Sequence, residues 1–164
     1  MFMFSDAERQ MNPPSLFEWI GGLDALNRLT TEFYRRVKAD ELIGPVFANM
    51  DERHPEHVAL FLGEVLGGPA LYSREHGGHP EMVRHHLNRH LSEPMRRRWI
   101  NLLLDSYTDL ALPGDPEFAS ALLSYLEWGS RLAVINSQPG VSVSEHAPMP
   151  KWGWGEAKGP YVQK

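Results

Sequence analysis

Apolar residues recur at helical spacing along most of the chain, and glycine, proline and capping residues separate the recurrences. Ser15 opens a first short helix, with Glu18 three residues on as in a capping box, and Gly21-Gly22 interrupts it. A longer helix follows, in which Leu26, Leu29, Thr30, Phe33, Tyr34 and Val37 share a face. Asp40 to Pro45 reads as a turn or a single helical turn, with Phe47 just beyond. The next helix spans roughly 55–66, with His54 at its N-terminal end and Val58, Phe61, Leu62 and Val65 on its apolar stripe. Gly67-Gly68-Pro69 stops it.

A loop rich in glycine and histidine then leads to a short amphipathic helix, whose face carries Met82, Val83, His86, Leu87, His90 and Leu91. Ser92 caps a helix that runs to about Leu110, with Met95, Trp99, Leu102, Leu103, Ser106 and Leu110 on its inner side. Leu112-Pro113-Gly114 is a turn, and Asp115-Pro116 starts the last helix as N-cap and first helical residue. Phe118, Leu122, Tyr125, Leu126, Leu132 and Ala133 form its inner face. Period-2 alternation is missing throughout, so the expected class is all-α. Residues 1–14 read as a loose leader, 15–137 as one domain, and 138–164 as an irregular tail, a disordered extension despite Trp152, Trp154 and Tyr161, with the covering of a site edge or a partner surface as the alternative.

Composition narrows the chemistry. The 164 residues carry a formal charge of -5, which argues against a nucleic-acid partner. The Arg96-Arg97-Arg98 run is expected to be a solvated helix face. There is no cysteine, which excludes disulfides, thiolate metal sites, iron–sulfur clusters and a cysteine nucleophile. The start lacks the basic region of a signal peptide, and no stretch is long and apolar enough to span a membrane, so the cytoplasm is the default location.

The polar residues on apolar faces are the candidates for function. Tyr34, His54, His86 and Trp99 each sit among core positions on four different helices. A buried donor without a partner costs ~1–3 kcal/mol, and a ligand between the helices would supply partners. For His86 alone, an imidazole satisfied within the core is the competing reading. His85, His76 and His79 read as loop or surface residues.

An ordered set of landmarks goes further: Gly21-Gly22, Phe33-Tyr34, Phe47, the FLGEVLGGPALYS block at 61–73, the GGH at 77–79, His86, and Trp99 in RRRW. In this set the chain resembles the truncated haemoglobins over roughly 15–137, and Trp99 points to group II. The resemblance implies helices packed two over two around haem b. It implies that His86 is the axial iron ligand, with His90 as the rival. Tyr34 and Trp99 are then donors on the ligand side, Phe47 packs on the haem face, and Val58, Phe61 and Leu62 lie on the distal helix. Tyr72, Arg84 and Arg74 are candidate partners for the haem propionates. His54 stands where many group II members have a small residue. It is expected to stay off the iron and to gate the pocket mouth.

The function implied is binding of O₂, NO, CO or cyanide. Several donors on one ligand would slow its release, which suits NO dioxygenation or peroxidase-like turnover driven by an external reductase or other electron donor. Storage, scavenging or sensing of oxygen is the alternative, and a haem-free helical module with a histidine metal site is a third. A monomer or weak dimer is expected.

Overall fold

A computed structural model describes residues 12–160. Residues 1–11 of the leader and Tyr161 lie outside the described residues. Among the described residues seven α-helices follow one another: α1 (Leu16–Ile20), α2 (Gly22–Ala39), α3 (His54–Val65), α4 (Leu71–His76), α5 (Gly78–His86), α6 (Glu93–Asp109) and α7 (Pro116–Asn136). Short 3₁₀ turns occupy Gly44–Phe47 and Gly155–Ala157. No strand occurs among the described residues. None of these helices is long and apolar enough to cross a membrane.

The caps explain where the helices begin. Ser15 accepts from the Glu18 N–H at 3.1 Å, Ser92 from the Met95 N–H at 3.4 Å, and Asp115 from the Phe118 N–H at 3.0 Å, each satisfying a donor that the first turn leaves unpaired. Asp40 accepts from the N–H groups of Leu42 and Ile43 and folds the turn that leads to Phe47. Between α1 and α2 the chain reverses through Gly21, at φ +111°, in the left-handed region that glycine enters without steric cost.

Two helix pairs build the domain. α2 packs on α3 and α6 packs on α7, and α2 also crosses α6, so the pairs stack two over two. Leu26, Leu29, Phe33, Val37, Val65, Leu103, Phe118 and Leu126 are among the fully buried residues that join them. After α3 the chain folds back tightly on α1: the Gly68 N–H donates to the Gly63 carbonyl at 2.7 Å. A Cβ built on Gly68 would lie 2.7 Å from that oxygen and 2.8 Å from the Phe17 ring. Glycine is there for room.

Four expectations from the sequence are corrected. First, 71–76 is a helix and not a loop; its Ser73 N–H and hydroxyl both donate to the buried carboxylate of Glu64. Second, α5 stops at His86. Asn88 and His90 have φ of +59° and +52°, so Leu87, His90 and Leu91 do not extend its face. The chain beyond is held by distant partners, with the His90 N–H donating to the Ser137 carbonyl at 3.0 Å and the Leu91 N–H to the Ser137 hydroxyl at 2.9 Å.

Third, Arg96 is not on a solvated face. It is 5% exposed, and its guanidinium pairs with Glu93 at 2.6 Å, Glu127 at 3.2 Å and the Ser130 hydroxyl at 3.2 Å. Arg97 and Arg98 do remain exposed. The reason is helical phase: Arg96 faces α7, where acceptors wait.

Fourth, the segment after Asn136 is irregular but joins the core. The Trp152 N–H donates to the Val65 carbonyl at 2.8 Å, and the buried Trp154 indole donates to the carbonyl of Pro14 at 2.7 Å. Pro14 is itself buried, so the end of the supposed leader is part of the fold. Lys151 lies 3.7 Å from Glu64 and completes the set of partners that a buried carboxylate requires.

Candidate functional site

A large cavity of about 730 Å³ lies between the helix pairs, within the size range of small-molecule and cofactor sites. α2 brings Tyr34 to it, the 3₁₀ turn brings Phe47, α3 brings His54, Val58, Phe61 and Leu62, α4 brings Tyr72, α5 brings His86, and α6 brings Trp99. These are the sequence-predicted site residues, and the fold brings them to one space. Arg84 and Arg74 are not among the lining residues. Arg84 is held on the surface by Glu81 at 2.9 Å and by Glu145, and Arg74 lies against the Ala70 carbonyl. Their charge is used locally, so neither reaches the cavity. His90 is exposed and also absent from the lining.

The polar groups on the α2, α3 and α6 side form a connected set. His54 Nε2 and the Tyr34 hydroxyl are 3.1 Å apart. Tyr34 is 3% exposed; burial pushes its phenol well above the ordinary range, while the nearby Trp99 indole pulls the other way. Phe33 and Trp99 meet edge to face at 5.2 Å, and Phe47 lies 5.7 Å from Tyr34 and 6.3 Å from His54. Aromatic edges thus fix the orientation of the donors. Desolvation lowers His54 to about 4, and the neighbouring charges of His85, His57, His86 and Arg89 push the same way. At neutral pH this imidazole is uncharged.

His86 ends α5 with its ring facing the cavity. Burial lowers it to about 4 as well, and the Met82 backbone one turn earlier acts in the opposite sense. An uncharged imidazole facing an apolar space is a good electron-pair donor and a poor partner for an anion. Met82, Met95, Leu126 and Ala133 complete the apolar wall around it.

Several lining residues escaped the reading of the sequence. The His57 and His76 rings lie 4.2 Å apart with their planes inclined by 42°, and Tyr72 lies 5.6 Å from His76. His76 and His79, read as loop or surface residues, are in the lining, and the buried Nδ1 of His79 has no hydrogen-bond partner among the described residues. Tyr72 and His76 stand one turn apart on α4, but His79 lies on α5 beyond the break at Gly77, so no single helical period announced the three. Among the described residues no group of three or more His, Asp or Glu side chains converges on one point. A bare ion therefore finds no ready cage, whereas a planar apolar group that carries most of its own ligands needs only one imidazole from the protein.

Comparison with known proteins agrees with the geometry. A sequence model described as bacterial-like globin matches residues 15–125. The group 2 truncated hemoglobin YjbI of Bacillus subtilis (strain 168) is 31% identical over 117 residues, covering 71% of this chain and 86% of that protein. The group 1 truncated hemoglobin GlbN of Nostoc sp. (strain MUN 8820) is 33% identical over 81 residues, or 49% of this chain and 64% of its own length. The crystal structure of the group II truncated hemoglobin from Bacillus anthracis superposes with a TM-score of 0.68 at 25% identity, covering 79% of this chain and 98% of that one. A thermostable hemoglobin from Thermobifida fusca gives 0.65 at 30% identity, covering 74% and 97%. From the shared helix order, the two-over-two packing and these matches, the chain belongs to the bacterial-like globins and, among them, to the group II truncated haemoglobins.

Proposed function

We propose that this chain binds haem b through His86 and holds O₂ or another diatomic ligand against Tyr34 and Trp99, supporting redox detoxification in the cytoplasm. The observation that carries the reading is the neutral His86 imidazole facing an apolar cavity whose other walls present Tyr34, His54 and Trp99. When bound, the haem supplies the coordination position for the ligand and, with an external electron donor, the electrons for turnover. The name of one structural relative, a truncated oxygen-avid haemoglobin from Bacillus subtilis, agrees with such a role.

The chain's own residues do the rest. Val58, Phe61, Leu62 and Met82 exclude water from the faces of a flat apolar group, and Phe47 packs beside it. Tyr72 with the adjacent His57 and His76 offers donors to its carboxylates, in place of Arg84 and Arg74. Tyr34 O–H and Trp99 N–H are placed to donate to a ligand that gains negative charge. Each such bond is worth ~1.5–3 kcal/mol. Two together slow release enough to favour NO dioxygenation or peroxidase-like turnover over storage and delivery.

The test is the Soret absorption of the purified wild type, His86→Ala and His90→Ala. Haem uptake by the wild type and His90→Ala, with loss or easy extraction in His86→Ala, is expected. A wild type that takes up no haem, or a normal spectrum in His86→Ala, overturns the reading.

A further inference from the structure

We propose that Tyr125, Trp152 and Trp128 form an electron path from the cavity to the surface, ending at a site on Trp128 where small uncharged phenols are oxidised. This rests on the haem reading above.

Tyr125 lines the cavity on α7 and is 6% exposed. Its ring centroid is 5.4 Å from Trp152 and 6.3 Å from Trp128, and the two indoles are 5.6 Å apart. Trp128 is 41% exposed. Trp128 borders the cavity as well as solvent, so three oxidisable rings in mutual contact reach from the pocket wall to the surface. The middle ring comes from the C-terminal segment and is fixed there: its residue's N–H is bonded to Val65, and the preceding Lys151 reaches the buried Glu64. Gly129 makes the arrangement possible, since a Cβ at that position would press on the Tyr125 phenol at 3.3 Å.

Charge at the outer end indicates the donor class. Glu127, next to Trp128, is neutralised by Arg96 at 3.2 Å and Arg131 at 3.0 Å. With Glu93 also paired to Arg96 at 2.6 Å, the two carboxylates and two guanidiniums beside Trp128 compensate one another, which suits a neutral aromatic molecule stacking on the ring better than an anion or a cation.

The balance is as follows. Hydrogen peroxide entering the cavity takes up two electrons and two protons and leaves as two waters. Each electron is drawn from the Trp128 indole along the path, and the indole N–H proton passes to solvent. A phenol at the surface returns one electron and one proton to the neutral indolyl radical and departs as a phenoxyl radical. Two phenols are consumed per peroxide.

The experiment uses haem-loaded full-length chain, verified by its Soret band. Peroxide is added without a reductant, and oxygen adducts are mapped by peptide mass spectrometry. Adducts should concentrate on Trp128 and Trp152, and guaiacol should suppress them. Trp128→Phe and Trp152→Phe keep an aromatic ring for packing but remove an oxidisable one. Each should lower kcat/KM for guaiacol by about tenfold, while the initial reaction of peroxide, followed by the Soret change, keeps its wild-type rate. Adducts spread over unrelated residues, or guaiacol oxidation at the wild-type rate in both variants, overturn the path and leave the haem reading standing. Failure to load haem overturns both.

Discussion

His54 and Tyr34 share one hydrogen bond, 3.1 Å long, between a lowered imidazole and a buried phenol. Both groups are neutral at pH 7, so the bond has two forms. If Tyr34 donates to Nε2, its proton is committed to His54. If His54 carries the Nε2 proton and donates to the phenol oxygen, the Tyr34 proton is free to point at a ligand. The contact thus orients the Tyr34 hydroxyl, in addition to the gating expected of His54 from the sequence.

That relationship fixes a mutational pattern. Tyr34→Phe and Trp99→Phe should each speed O₂ dissociation by about tenfold or more, the equivalent of one charge-assisted bond. His54→Ala should raise the association rate by opening the mouth and should also alter dissociation. In the Tyr34→Phe background, His54→Ala should change dissociation far less, because the two residues act through one bond. Stopped-flow rates on the three single variants and the double variant check this; additive effects would show that His54 and Tyr34 act independently.

The lowered histidines give the haem-free protein an acid-sensitive stability. In the unfolded chain His54 takes up a proton near 6.5, whereas in the fold it stays neutral down to about 4. As pH falls through that window the unfolded state binds the extra proton, so stability drops, and below about 4 this group adds no further slope. His86 acts in the same direction. Burial is the largest cause of the His54 lowering, and the charges of His85, His57, His86 and Arg89 are part of the same shift. Urea denaturation at several pH values should show the decline between neutrality and pH 4 and a shallower one in His54→Gln. Equal slopes in the two proteins would refute the assignment.

The three adjacent arginines should differ sharply. Arg96→Leu removes the charge that holds Glu93, Glu127 and Ser130 across α6 and α7, and should cost about 2 kcal/mol. Arg97→Ala breaks only an exposed contact at 3.3 Å to Glu93 and should cost less than about 0.5 kcal/mol. Denaturant midpoints measure both.

Trp154 ties the C-terminal segment to the start of the domain. Trp154→Phe removes its bond to Pro14 and should cost about 1 kcal/mol. Trp154→Ala also removes its packing on Trp19 and Phe118, at 5.9 and 6.2 Å, and should cost ~3–5 kcal/mol. Thermal unfolding distinguishes the two losses.

The long helices were legible in the sequence because their signals are local. Ser15, Ser92 and Asp115 announce caps, and the 3.6-residue recurrence marks the inner faces of α2, α3, α6 and α7. Tyr34, His54, His86 and Trp99 were legible as polar intrusions on those faces. What was not legible depends on distant partners. α5 ends at His86, and the chain beyond it is held by bonds from His90 and Leu91 to Ser137, which no local pattern announces. The burial of Arg96 depends on Glu127, and the placement of Trp152 on the carbonyl of Val65. α4 was missed because its six residues are too few to display a period, and with it went the second histidine cluster on the cavity wall.

Gly68 and Phe17 meet where the chain turns back from α3 onto α1. Replacing glycine by alanine ordinarily stabilises a protein, because the unfolded chain loses conformations it would otherwise have to surrender on folding. At position 68 that gain is outweighed: the added methyl would sit 2.7 Å from a backbone oxygen and 2.8 Å from an aromatic ring. Residues 17 and 68 therefore share a single volume. One can grow only as the other shrinks, and stiffening the glycine pair is not a route to a hardier protein.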